Sequence, residues 1–266
     1  MAGVSWKANG VIINTAAELE QSVVAAIAGN GPTLYPVGPV LSFPAQAEQA
    51  HACELWLEAQ PLASVVFLCF GSAGFSTAAQ AHEVAHGLER SGHRFLWVLR
   101  GPPAPDTPLQ PTDADLGELL PEGFLERTKG KGLVWPTKAP QKEILGHAAV
   151  GGFVTHCGWN STLESLWFGV PMVPWPLYAE QHLNAFTLVA YTGVAVAMEV
   201  DRNRNNFVEA SELERAVKAL MDADSHDGSK ARAKAAEMKA VCRKAVHDGG
   251  GSSYTALGRL AQDILR

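Results

Sequence analysis

KAPQKEILGHAAVGGFVTHCGWNSTLESLWFGVPMVPWPLYAEQ, residues 138–181, is the stretch on which the fold turns. Its apolar spacing reads as a short helix at 140–147, a strand at 150–155, a helix at 161–168, a strand at 171–175 and a helix from 180. At its centre a strand ends near Thr155, Gly158 permits a tight turn, and a helix starts near Asn160 or Ser161. The free backbone N–H groups and the dipole at such a helix start favour a phosphate, and His156 beside it can donate one more hydrogen bond. A second reading needs no ligand. Ser161-x-x-Glu164 has capping-box spacing, and on spacing alone capping is the commoner explanation.

The same alternation continues outward. Ser64 to Phe70 reads as a buried strand closed by Gly71, helical spacing follows at Ala81, Val84, Ala85 and Leu88, and further strands are expected at 94–99, 132–135 and 194–200. Residues 101–121 hold six prolines and read as a surface loop. Helical segments at about 210–221, 229–247 and 253–265 close the chain. Six strands separated by helices predict an α/β fold with a doubly wound parallel sheet, since parallel neighbours need crossovers. Ligands of such sheets lie beyond the carboxyl ends of the strands, here the loops after Phe70, Trp135, Thr155 and Trp175. The first 45 residues stand apart: a strand at Asn9–Thr15, a helix at Ala17–Ala28, an extended exit at Tyr35–Pro39 and a linker at Leu41–Gln49. A strand so near the start, belonging to nothing downstream, suggests a chain that begins inside a domain, with residues 3–45 lacking a sheet to join.

Composition narrows the function classes. A chain of 266 residues, 47% hydrophobic and 18% charged, supports a substantial core. Its net charge of −6 offers no basic field for nucleic acid or an anionic membrane, so anions must be bound locally by backbone amides and helix ends. Cys53, Cys69, Cys157 and Cys242 are too scattered for a disulfide framework or a zinc site. The longest apolar stretch, Leu166–Tyr178, holds three prolines and is too short to span a bilayer, so a soluble cytoplasmic protein is expected.

Taken whole, residues 138–181 resemble the signature segment of plant secondary-product glycosyltransferases, the family 1 enzymes of GT-B fold, with His156, Gly158, Trp159, Asn160, Ser161, Glu164, Pro171, Glu180 and Gln181 in register. Phe70-Gly71-Ser72, Trp56-Leu57 ahead of Gln60-Pro61, and Asn14-Thr15 with Glu18-Leu19-Glu20 are similar to other parts of that family. The resemblance covers essentially the whole chain. It implies the C-terminal half of a UDP-dependent enzyme: a remnant of the acceptor domain with the start of a linker at 1–45, a UDP-sugar donor domain at 46–250, and a helix at 251–266 that packs back toward the N-terminal domain. It further implies that Gln141 meets the uracil edge and Glu164 the ribose hydroxyls. His156, Asn160, Ser161 and the Ser72 loop would hold the diphosphate. Trp159, Glu180 and Gln181 would face the sugar, with Ala139, Gly158 and Tyr178 completing the donor site. Gln181 matches the glucose-preferring form, so the donor expected is UDP-glucose, with no metal and no cofactor.

Lys138 departs from the pattern, because the family places there a Trp that stacks on uracil. Loss of such stacking costs about 1–3 kcal/mol, or about five- to hundredfold in affinity. In this family an inverting transfer uses a His of the first domain as base, and no histidine here matches its context, so no catalytic residue is assigned. The acceptor implied is a small phenolic such as a flavonoid, and an uncovered cleft face would favour self-association. The rival of another class is a non-enzymatic, truncated UDP-sugar-binding paralogue. A Rossmann oxidoreductase is disfavoured, because Gly71-Ser72-Ala73-Gly74 is not G-x-G-x-x-G.

Overall fold

A computed structural model describes residues 8–28, 31–42, 51–107 and 110–265. Two compact units account for the chain, one of residues 46–235 and one of residues 1–45 with 236–266. The larger is an α/β layer structure. Its elements are α2 (Ala52–Glu58), β3 (Val65–Cys69), α3 (Ala78–Ser91), β4 (Arg94–Val98), β5 (Arg100–Pro103), β6 (Pro111–Asp113), α4 (Leu116–Leu119) and α5 (Phe124–Arg127). There follow β7 (Gly132–Trp135), α6 (Gln141–Gly146), β8 (Val150–Thr155), α7 (Trp159–Phe168), β9 (Met172–Pro174), α8 (Gln181–Ala190) and α9 (Ala210–Met221). The smaller unit has β1 (Gly10–Ile13), α1 (Gln21–Ala28), β2 (Thr33–Pro36) and α11 (Ser252–Ile264), while α10 spans His226–Ala245.

The central sheet is parallel with strand order β7-β4-β3-β8-β9. All five residues of β3 are buried, as a middle strand covered on both faces requires. Alternate residues divide between the faces. Val66, Leu68 and Phe70 join Phe95, Trp97 and Leu99 in one cluster with Ala81, Val84 and Leu88 of α3 and Leu213, Val217 and Leu220 of α9. Between them Phe67 stacks on Phe153 at 5.2 Å, and Ile144, Leu145, Leu163 and Leu166 are buried from α6 and α7. Gly151 and Gly152 allow close approach: a Cβ on Gly151 would lie 2.3 Å from the Ala63 carbonyl.

Three expectations change. The strand at 194–200 shrinks to a single parallel bridge between Ala195 and Met172. Val196, Met198 and Val200 instead pack on the α3–α9 cluster, so their alternation records core packing rather than sheet pairing. The stretch 101–121 is not plain loop, because β5 and β6 form an antiparallel hairpin with Pro103 opposite Pro111 and α4 follows it. Residues 8–42 do have a sheet: β1 and β2 pair in parallel with α1 as their crossover. In that unit β2 also meets α11, where Tyr35 Oη donates to Asp263 at 2.7 Å and Arg259 to the Leu34 carbonyl at 2.8 Å. Most of the expected 41–49 linker lies outside the described residues. No helix among the described residues is long and apolar enough to cross a membrane.

Candidate donor site

The loop after β8 makes a left-handed turn at Cys157 (φ 63°), unusual for a residue with a side chain. It is held by Cys157 N–H donating to Thr155 Oγ1 at 3.3 Å and by Asn184 Nδ2 donating to the Cys157 carbonyl at 2.9 Å. The turn lays the His156 ring between two glycines. A Cβ on Gly158 would stand 2.4 Å from His156 Nε2, and one on Gly71 would stand 2.7 Å away. Both positions therefore need glycine for steric reasons. His156 is 8% exposed and its Nδ1 has no hydrogen-bond partner of ordinary geometry. Burial drives its pKa down to about 4 against a weaker upward pull from Glu180 and from the backbone of Cys69, so the ring is neutral at pH 7.

Helix α7 begins at Trp159 with Gly158 as its cap and no side-chain capping bond. The capping-box reading of Ser161 and Glu164 is thereby corrected: Ser161 lies inside the first turn, too late to cap it. Gln141 Nε2 donates instead to Ser161 Oγ at 2.9 Å and to Glu164 Oε2 at 2.6 Å. The two side chains turn toward α6. Burial raises the Glu164 pKa, opposed by the hydrogen bond from Gln141.

These groups open on a cavity of about 390 Å³ beyond the ends of β3 and β4, bordered by Ser72, Lys138, Ala139, Gln141, Ser161 and Glu164. Sequence reasoning missed Arg100, which also borders it. Its side chain is only 8% exposed, with Nε donating to the Thr112 carbonyl at 3.0 Å and Nη2 to that of Pro111 at 2.7 Å. A charged residue ending the apolar run Phe95–Leu99 was the available signal. Trp135 is not a wall of this cavity. Its ring meets His51 edge-on at 4.8 Å and its Nε1 donates to the Lys138 carbonyl.

The remaining expected residues distribute around this centre. Gly158, Trp159 and Asn160 form the cap and first turn of α7, and Glu180 and Gln181 stand at the start of α8. Gln181 is buried with its carbonyl oxygen accepting from the backbone N–H groups of Leu177 (2.8 Å) and Tyr178 (3.0 Å). Tyr178 is half exposed and borders a different cavity.

Comparison with known proteins gives this geometry a context. A protein from Oryza sativa subsp. japonica named malvidin galactosylase UGT88C3 is 69% identical over 97% of this chain and 56% of its own length. A transferase from Siraitia grosvenorii solved in complex with UDP superposes with a TM-score of 0.88 at 44% identity, over 98% of this chain and 61% of that one. Medicago truncatula UGT71G1, solved with UDP-glucose, gives 0.82 at 44% identity over 96% and 54%. The chain thus spans little more than half the length of these relatives. The family model described as UDP-glucoronosyl and UDP-glucosyl transferase matches residues 32–232, and the chain belongs to that family, within its plant family 1 branch.

Proposed function

We propose that this chain is the donor-binding half of a plant UDP-glycosyltransferase, holding UDP-glucose for transfer to a hydroxyl of a small phenolic acceptor. The observation that carries the reading is the uncapped start of α7 beside His156, whose buried Nδ1 lacks a partner. Buried polar atoms are normally satisfied, and a diphosphate oxygen would supply what is missing here. A neutral imidazole donates one hydrogen bond without a competing charge requirement. Asn160, Ser161 and Ser72 would add donors around the same oxygens.

The half-buried Glu164 carboxylate suits a vicinal diol, which offers two O–H donors, and Gln141 holds that carboxylate in place. On this geometry Gln141 serves the ribose side as much as the base. Ala139 and Lys138 would border the uracil. Glu180 and Trp159 would face the hexose, and Gln181, its carbonyl spent on the 177–178 turn, would reach it only through its amide nitrogen. Glucose is the sugar favoured by Gln181, although a relative is named as a galactosylase. The acceptor base, the phenolic partner and a cytoplasmic setting follow from the family reading, and we expect slow or negligible transfer by the 266-residue chain alone. Parallel calorimetry with UDP, UDP-glucose and UDP-galactose tests the donor. Binding of none of the three, or a preference for the galactose form, would sink the corresponding part.

A further inference from the structure

The first turns of α8 fasten the loops that follow both β8 and β9. Gln181 and Asn184, three residues apart on that helix, lie side by side. Gln181 holds the N–H groups of Leu177 and Tyr178, and Asn206 Nδ2 donates to the Leu177 carbonyl at 2.8 Å. The loop so fixed borders a second cavity, of about 430 Å³, walled in part by Phe70, Phe75 and Trp175. Asn184 serves the other loop, with its Nδ2 donating to the Cys157 carbonyl at 2.9 Å.

That bond lands on a strained point. Cys157 has a φ of 63°, which a residue with a Cβ adopts only at a cost, and such a conformation persists where its surroundings over-determine it. The Cys157 N–H and Sγ bond back to the same strand, to Thr155 Oγ1 at 3.3 Å and to the Thr155 carbonyl at 3.4 Å. The Asn184 bond comes instead from a separate element, and so ties the turn to the body of the fold. A trans peptide is planar, so a fixed Cys157 carbonyl also fixes the Gly158 N–H, which points the opposite way. Gly158 caps α7 and walls the His156 ring, where a Cβ would stand 2.4 Å from Nε2. Rotation of the 157–158 peptide would therefore disturb the seat of His156 and the start of α7 together.

We infer that Asn184 is a positioning residue of the donor site, whose amide clamps the left-handed turn at Cys157 and so keeps His156 between Gly71 and Gly158. The inference rests on the donor reading of that site, in which Asn184 itself makes no donor contact. Its residue type fits the task. The amide supplies an N–H to a carbonyl, which an aspartate of the same shape could not do when ionised. Alanine offers no donor, and the turn is then free to relax toward an ordinary φ and admit water to the ring.

The test joins calorimetry of UDP binding to histidine-detected NMR on the 266-residue chain. Asn184→Ala, which favours the helix, should bind UDP about tenfold more weakly. Its His156 ring should titrate well above the parent's value of about 4, because burial is what holds that value down. Thr187→Ala removes a hydroxyl that bonds to the Leu183 carbonyl one turn back in α8, and should change neither reading. That control separates the clamp from a general loosening of the helix. In the parent, saturating UDP should slow solvent exchange of the Asn184 side-chain amide, since such coupling is reciprocal, and this measurement requires no variant to fold. UDP binding by the parent with affinity and His156 titration unchanged in Asn184→Ala overturns this inference alone. An equal effect of Thr187→Ala, or amide exchange indifferent to bound UDP, does the same. Failure of the parent to bind UDP overturns the donor reading along with it.

Discussion

The two cavities lie beyond the carboxyl ends of one sheet, and both have bonded polar side chains in their walls, yet among the described residues only the first adjoins a buried polar nitrogen without an ordinary partner. In the cavity bordered by Lys138, Arg100 and Glu164, the adjoining His156 nitrogen lacks a partner and a half-buried carboxylate has its pKa raised. In the cavity bordered by Phe75 and Trp175, Gln80, Asn206 and Arg204 are already bonded within the wall. A fold leaves a buried polar group unsatisfied at a cost of about 1–3 kcal/mol. Such a cost persists where a ligand repays it, and here it falls beside the cavity of Lys138 and Glu164.

The largest expected effect is on stability, and it belongs to the polar cavity alone. His156 has a folded pKa of about 4 against an ordinary value of 6.5. Between those values the unfolded chain is protonated and the folded ring is not. Stability is therefore full above pH 6.5 and lost as the pH falls toward 4, by roughly 3 kcal/mol in all. Urea melts of the parent and of His156→Gln across that window should diverge, with the variant showing the flatter profile. Parallel profiles would mean that the ring is not held neutral by burial.

Next in size is donor affinity. Glu164→Ala should weaken UDP by about 1–3 kcal/mol, or about five- to hundredfold, measured by calorimetry. UDP-glucose, whose diphosphate does not titrate near neutrality, should also bind less well as the pH falls, because Glu164 takes up its proton above the usual carboxylate range. Unchanged affinity in Glu164→Ala would remove the ribose assignment and erase half of the contrast between the cavities.

How much of this was legible in the sequence depends on what kind of signal each element leaves. Val65–Cys69 carries its own evidence, since a buried middle strand must be apolar throughout, whereas the tight turn expected at Gly158 falls on Cys157 and Gly158 is extended, its missing side chain making room for the His156 ring. Residues 194–200 misled because alternation is the same whether side chains face a sheet layer or a helix pair. Ser161 and Glu164 misled because capping spacing is necessary but not sufficient. Where Gln141 donates to both is a tertiary fact, twenty residues from one partner and twenty-three from the other. Nothing local foretold that Tyr178 would border a second cavity.

Lys138→Trp sharpens the comparison by making the polar cavity partly aromatic. Lys138 borders it and is exposed, so a flat ring there can cover the base without displacing core. UDP affinity should rise within the stacking range of about 1–3 kcal/mol, toward its lower end because an exposed ring must first be ordered. No gain in a calorimetric titration would mean that residue 138 does not stand over the base.

The smallest effect concerns the hairpin beside that cavity. Pro102, Pro103 and Pro111 carry no N–H, so β5 and β6 have few ladder bonds of their own. The Arg100 fork compensates by donating from one side chain to the carbonyls of both Thr112 and Pro111, with Asp113 at 3.4 Å. Lysine keeps the charge but lacks a planar fork, so Arg100→Lys should satisfy one carbonyl at a time. About 1 kcal/mol of stability should be lost, and amide exchange at Gly101 and Thr112 should quicken while β3 and β8 keep their protection. Phe75 and the aromatic cavity should respond little, since the bond that joins Arg100 to that wall, Ser76 N–H donating to the Arg100 carbonyl at 3.1 Å, uses the backbone and survives the substitution. Exchange unchanged at 100–113 would mean that the hairpin holds itself, and that the buried guanidinium serves the cavity rather than the loop.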